Sequence, residues 1–194
     1  MKTSKLQKLM ILPLLLAYPI LTVESCPVVK LQEDFKPALY MGTWYEQLRD
    51  KTIPFEKFEC VHTKYELNPD NSVSVYNAQF NDIKNEIDSI RGKATFNGAV
   101  GKVKFFWYMP AGDYRVVATD YENYAVVYSC EKILWFRMQA AWILTREKKP
   151  DEALVKKAFA ILKERVPSYN WEDFHQTKQE GSCRYSVDLR EESG

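Results

Sequence analysis

Val61-His62-Thr63-Lys64-Tyr65-Glu66-Leu67-Asn68-Pro69-Asp70-Asn71 decides the class of this fold. Val61, Thr63, Tyr65 and Leu67 fall on one face of an extended chain, and His62, Lys64 and Glu66 on the other. That two-residue period belongs to a half-buried strand. Asn68-Pro69-Asp70-Asn71 then turns the chain, because Pro presets φ while Asn and Asp side chains bond their own backbone. The pattern continues outward. Residues 72–80 read as the next strand, Asn81-Asp82 as a break and 86–96 as a third strand. Asn97-Gly98 is a strong hairpin signal. Residues 102–109 alternate again, with Val103, Phe105, Trp107 and Met109 opposite Lys102 and Lys104. Pro110-Ala111-Gly112-Asp113 turns into strands over 114–120, 124–131 and 137–145, so about eight short strands lie between residues 43 and 147.

The helical pattern comes only afterwards. Pro150 suits a first helical position, and Asp151 and Glu152 suit the positive end of the dipole. Leu154, Ala158, Ile161 and Leu162 recur at helical spacing, Val155 and Phe159 widen the stripe, and Pro167 ends it. The tail, residues 169–179, adds a short strand before Cys183. Sequential strands followed by one amphipathic helix predict an all-β fold: an eight-stranded antiparallel up-and-down β-barrel with a C-terminal α-helix packed outside. Closure removes the strand edges, and eight strands leave room for one small ligand. The inward faces are then Tyr65, Val103, Phe105, Trp107, Met109, Val116, Met138 and Trp142. Asn77 and Gln79, in phase with Val73 and Val75, add two amides to that space. An apolar interior with few polar groups suits a small hydrophobic ligand.

The rest of the chain limits the alternatives. With 27 basic and 26 acidic residues among 194, it lacks the basic excess of a nucleic-acid binder. Twelve Tyr, 10 Phe and 5 Trp favour binding over chemistry; 2 His and 7 Gly argue against a multi-histidine metal centre or a glycine-cradled nucleotide. Lys2, Lys5 and Lys8 precede a 15-residue uncharged run, residues 9–23, too short for a membrane span. Residues 1–25 therefore read as a secretory signal peptide, and 26–194 as a single domain. An uncleaved anchor and a lipoprotein signal ending at Cys26 are the weaker alternatives. In an oxidising compartment Cys26, Cys60, Cys130 and Cys183 form two disulfides, and spacing leaves all three connectivities open. His62, on the polar face, and His175, in the tail, read as solvated; Glu46 has no evident partner. No catalytic residue and no metal site is assigned, and the chain is expected not to be an enzyme.

Three short motifs then carry a resemblance. Gly42-Thr43-Trp44-Tyr45 after a helical turn, Thr119-Asp120-Tyr121 between strands six and seven, and Arg146 after strand eight resemble, in order and place, the signatures of the lipocalin family. Residues 104–130 are similar to its apolipoprotein D-like branch, whose relatives include bilin-binding protein, insecticyanin, lazarillo and the crustacyanin subunits. The resemblance covers residues 26–186. It implies that Gly42, Trp44, Thr119, Asp120, Tyr121 and Arg146 close one end of the barrel, with Arg146 over the Trp44 ring. It also implies the pairing Cys26–Cys130 and Cys60–Cys183. Tyr65, Asn77, Gln79 and Trp142 match cavity-lining positions, while Phe105, Trp107, Met109, Tyr114, Val116 and Tyr128 enter the pocket by alternation as well as by likeness. The implied function is a secreted, extracellular carrier that holds a bilin, carotenoid, retinoid, sterol or fatty acid for transport or sequestration. No cofactor is required, and a bilin or carotenoid chromophore is an eligible guest. The rivals are an oligomeric chromoprotein and a lipid-surface or protein-interaction module. Tyr121, Tyr124 and residues 133–136 offer the apolar patch for homo-oligomer or weak lipid-surface contact.

Overall fold

The computed structural model describes residues 25–185 apart from Trp135 and Trp171; the expected signal peptide falls almost wholly outside them. Among the described residues the chain forms α1 (Pro37–Tyr40), β1 (Gly42–Asp50), β2 (Glu59–Leu67), β3 (Val73–Asn81), β4 (Glu86–Asn97), β5 (Val100–Lys104), β6 (Gly112–Thr119), β7 (Tyr124–Ile133), β8 (Phe136–Thr145), α2 (Glu152–Arg165) and β9 (Phe174–Gln176). The strands pair antiparallel in the order β2-β3-β4-β5-β6-β7-β8-β1-β9, and β1 also pairs with β2, which closes an eight-stranded barrel. The tail strand is the ninth.

Closure is split along β1. Gly42 to Tyr45 pair with β2, but Leu48 to Asp50 pair with β9 instead. Register shifts between Glu46 and Leu48 on β1 and between Glu59 and His62 on β2 mark where the strands part, and Cys60 has φ 59° there. The tail fills the seam: Thr177 N donates to Gln47 O at 3.0 Å, and Cys60 N donates to Lys178 O at 2.9 Å. The disulfide Cys60–Cys183 anchors this tail, and Cys26–Cys130 ties the N-terminal segment to β7. This is the pairing the resemblance implies.

Two apolar clusters divide the inside from the outside. The interior holds Trp44, Tyr65, Val73, Val75, Val116, Ala125, Val127 and Leu144. The outer wall presents Val117, Val126, Tyr128 and Ile143 to Ala158, Leu162 and Val166 of α2 and the turn after it. The expected helix-on-barrel packing is therefore present, and full burial of a side chain such as Leu162 contributes roughly 1.5–3 kcal/mol.

Three expectations about the strands and the helix need correction. The strand read over 102–109 ends at Lys104. Phe105 instead lays its ring over Gly92 of β4, where a Cβ would meet it at 2.7 Å, and Pro110 has no N–H for the ladder. Trp107 and Met109 thus sit in an exposed loop, 87% and 48% exposed, and not in the interior. Tyr128 faces the opposite side of the wall from that expected: β7 turns Ala125 and Val127 inward, so Tyr128 is buried outside, against Tyr169. Finally, Pro150 precedes the helix, because Asp151 is its N-cap and accepts from Ala153 N at 2.8 Å.

Candidate functional site

One end of the barrel is sealed by the motif residues. Trp44 is fully buried and its indole N–H donates to Tyr40 O at 2.9 Å. The Arg146 guanidinium lies 3.7 Å from the Trp44 ring centre and donates to Tyr121 O at 3.0 Å and Thr43 O at 2.9 Å. Gly42, at φ 96°, leaves the space: a Cβ there would stand 3.1 Å from the Arg146 Nη1. The Thr119 hydroxyl donates to Tyr124 O at 2.7 Å and accepts from Tyr121 N at 2.9 Å. Asp120 accepts from Asn123 N and Tyr124 N at 2.8 and 3.0 Å. These contacts tie α1, β1 and the turn between β6 and β7 together.

Above it lies a floor of tyrosines. Tyr114, on β6, stands between Tyr40 and Tyr65, its hydroxyl 2.8 and 3.0 Å from theirs. Burial raises all three hydroxyls above the usual tyrosine range, and proximity to each other adds to the shift for Tyr40 and Tyr114. They therefore stay neutral, each a donor and acceptor in an aromatic enclosure. Asn77 continues the polar line: its Oδ1 accepts from the Thr63 hydroxyl at 2.7 Å. Val116, Phe105 and Trp142 pack on the same interior cluster.

Gln79 shares the inward face but is committed to the loop between β1 and β2. Its Oε1 accepts from Lys57 N and Phe58 N at 3.0 and 3.1 Å, and its Nε2 donates to Phe55 O at 3.2 Å. The loop so held carries Glu56 over the barrel mouth, where its Oε2 accepts from the Trp142 indole N–H at 2.8 Å. Burial first, then the Glu46 carboxyl, holds the Glu56 carboxyl well above the usual carboxylate range. Glu46 is 1% exposed and accepts from Arg49 Nη1 at 2.8 Å and from the Thr177 hydroxyl.

Of the ten expected lining residues, Tyr65, Phe105, Tyr114, Val116 and Trp142 come together inside, and Asn77 joins them through Thr63. Trp107 and Met109 are at the rim, Tyr128 is outside and Gln79 pins a loop. Met138, also expected inward, is 48% exposed near the same rim. His62 is buried, not solvated, because Tyr45, Tyr76 and the tail's Tyr185 surround it. Sequence reasoning missed Tyr40, Arg49 and Glu56, and it found no partner for Glu46. Glu46 was within reach, since it stands two residues from inward-facing Trp44; Glu56 gave no signal, because loops carry no period.

The chain's likenesses agree with this geometry. Residues 41–180 match the model of the lipocalin / cytosolic fatty-acid binding protein family. Apolipoprotein D of Bos taurus is 42% identical over 127 residues, which cover 63% of this chain and 66% of that protein. The chain thus spans about two thirds of the length of that curated relative. The Lazarillo protein of Schistocerca americana is 30% identical over 160 residues, covering 78% and 72%. In fold, insecticyanin from Manduca sexta superposes with a TM-score of 0.72 at 22% identity, over 84% of this chain and 90% of that one.

Proposed function

The chain belongs to the lipocalin / cytosolic fatty-acid binding protein family, in its apolipoprotein D-like branch, and we propose that it is a secreted carrier that holds one small hydrophobic molecule inside its barrel. The observation that carries this reading is the interior itself. Tyr65, Phe105, Tyr114, Val116 and Trp142 pack on one interior cluster, and the hydroxyls of Tyr40, Tyr65 and Tyr114 together with the Trp142 indole N–H are the polar groups beside it that would orient a guest. Burial drives binding, at roughly 25 cal/mol per Å² of apolar surface removed from water. The eligible guests are bilins, carotenoids, retinoids, sterols and fatty acids, and the role is transport or sequestration and not catalysis. Two disulfides support an extracellular setting, with residues 1–25 as a signal peptide.

Absorption spectroscopy of protein purified from its native source, followed by mass spectrometry of an organic extract, tests the reading. It expects one hydrophobic molecule per chain; a visible band lost on extraction identifies a pigment. A clean extract from protein that also fails to take up any of these guests contradicts it.

A second reading concerns the open rim. Each loop at that end exposes apolar side chains: Phe55, Ile83, Trp107 and Leu134 are 60%, 85%, 87% and 72% exposed. Lys57, Lys84, Lys104 and Lys132 stand among them. Such a rim fits weak contact with an anionic lipid surface. Flotation with phosphatidylserine vesicles is expected to carry the protein, and Trp107→Ser to reduce it. Sedimentation as a dimer without vesicle binding favours homo-oligomer contact instead.

A further inference from the structure

Over half its length the seam between β1 and β2 is not closed by their own ladder. The two strands pair from Gly42↔Tyr65 to Tyr45↔His62 and then part. Beyond that point the tail supplies what the ladder lacks. The side-chain amide of Gln179 donates to Glu46 O on β1 and to Val61 O on β2, at 2.7 Å each, so one amide spans the gap. Its Oε1 accepts in turn from the Tyr185 hydroxyl at 2.8 Å. Thr177 N donates to Gln47 O on the β1 side, and Lys178 O accepts from Cys60 N on the β2 side. Lys178 N also donates to Glu59 Oε2 at 2.6 Å, and the Thr177 hydroxyl accepts from Arg49 Nη1 at 3.0 Å. Arg49 lies opposite Trp142 on β8, so the gap stands one strand away from a residue of the interior cluster.

Among the described residues, none from Thr177 to Cys183 joins either apolar cluster. Hydrogen bonds hold this stretch, and their net worth is small because water replaces them on opening. The Tyr185 ring adds contacts with His62 and Tyr45, and the Lys149–Glu180 pair is exposed to solvent and adds little. The one covalent tie is Cys60–Cys183. Cys26–Cys130 serves differently. It fixes the N-terminal segment to β7, which stays paired with β6 and β8, so opening that bond removes no part of the wall.

We propose that residues 177–183 are a removable stave of the barrel wall locked by Cys60–Cys183, and that reduction of this bond by a dithiol opens the seam and speeds release of the guest. The inference rests on the carrier reading above. Cys60 is 2% exposed whereas Cys183 is half-buried, so a thiolate of the dithiol attacks Cys183 Sγ. The S–S bond breaks and Cys60 leaves as a thiolate. The second thiolate of the reductant then displaces Cys183 and closes the reductant's own disulfide. Two electrons pass to the protein, and its two cysteines take up the two protons that the dithiol gives up. With the bond intact the mouth is the single way in. Once it is cut, the tail can leave while the pairs from Gly42 to Tyr45 keep the barrel together.

Transfer of retinol from the loaded protein to phosphatidylcholine vesicles, followed by the recovery of tryptophan fluorescence, reads the release. Dithiothreitol is expected to speed it about ten-fold in the native chain and equally in Cys26→Ser/Cys130→Ser. Cys60→Ser/Cys183→Ser releases at the fast rate from the start and ignores the reductant. Gln179→Ala, with both disulfides intact, also releases faster than the native chain. Hydrogen exchange at Thr177 and Lys178 reads the tail without any ligand, and reduction is expected to quicken it at least ten-fold while circular dichroism keeps its sheet signal. Unchanged release on reduction, or a response that Cys60→Ser/Cys183→Ser keeps, overturns the proposal and leaves a carrier in place. Loss of the sheet signal overturns it too, because the barrel itself then unfolds. Failure of the oxidised native chain to bind retinol counts against the carrier reading instead; faster exchange at Thr177 and Lys178 on reduction still upholds the lock, and unchanged exchange overturns it.

Discussion

Arg146 and Trp44 show how single residues divide the labour of the barrel. The guanidinium covers the indole at 3.7 Å and spends its donors on the carbonyls of Thr43 and Tyr121, with longer contacts to Leu39 and Tyr40. One side chain thus ties α1, β1 and the loop between β6 and β7. Arg146→Ala is expected to lower stability and leave ligand affinity alone. In a double-mutant cycle with Trp44→Phe, the pair should couple by about 1–2 kcal/mol, as a desolvated cation–π contact does. Denaturant melts of the four proteins measure it, and strict additivity refutes the contact. These residues were legible in the sequence because their types and order are specific. Glu46 was less so: its strand phase pointed inward, but its partners Arg49 and Thr177 lie across a bulge and on the distant tail.

Elements supply what single residues cannot. The loop between β1 and β2 is held by Gln79, whose amide takes three backbone partners. Gln79→Ala should speed amide hydrogen exchange at Lys57 and Phe58 and speed ligand dissociation; unchanged exchange at both amides contradicts the latch. The tail is a second such element. It covers His62, whose ring burial lowers below its usual range, with Lys148 pushing the same way and the Cys60 carbonyl opposing. A histidine depressed on folding contributes its stability above the unfolded value near 6.5 and loses it as pH falls below. Between pH 7.5 and 5 the thermal midpoint of the native chain should therefore drop more steeply than that of His62→Phe. Parallel pH profiles contradict it. Alternation had put His62 outside, correctly, but a strand's outer face says nothing about what later covers it. The same limit explains residues 105–109, where alternating residues continue after Phe105 has turned onto Gly92 and ended the strand.

At the scale of the whole molecule, strand number, barrel closure and the external helix followed from periodicity, because each depends on local spacing. The seam did not. That β1 changes partners midway, from β2 to β9, is set by two bulges and a disulfide-anchored tail more than one hundred residues away in sequence. The consequence is a barrel with unlike ends: one sealed by Trp44 and Arg146, the other framed by a latched loop, a tail and an apolar rim. A carrier needs this asymmetry, since a guest must have one way in. The most direct test measures retinol affinity and thermal midpoint on the same samples of Trp142→Ala and Trp44→Ala. Trp142→Ala should lose about ten-fold in affinity while keeping most of its stability, because the indole is only partly buried against the interior cluster. Trp44→Ala should lose roughly 3–5 kcal/mol of stability, the cost of emptying a fully buried tryptophan site. Equal losses of stability with full affinity retained in both variants would contradict the assignment of the barrel interior as the binding site.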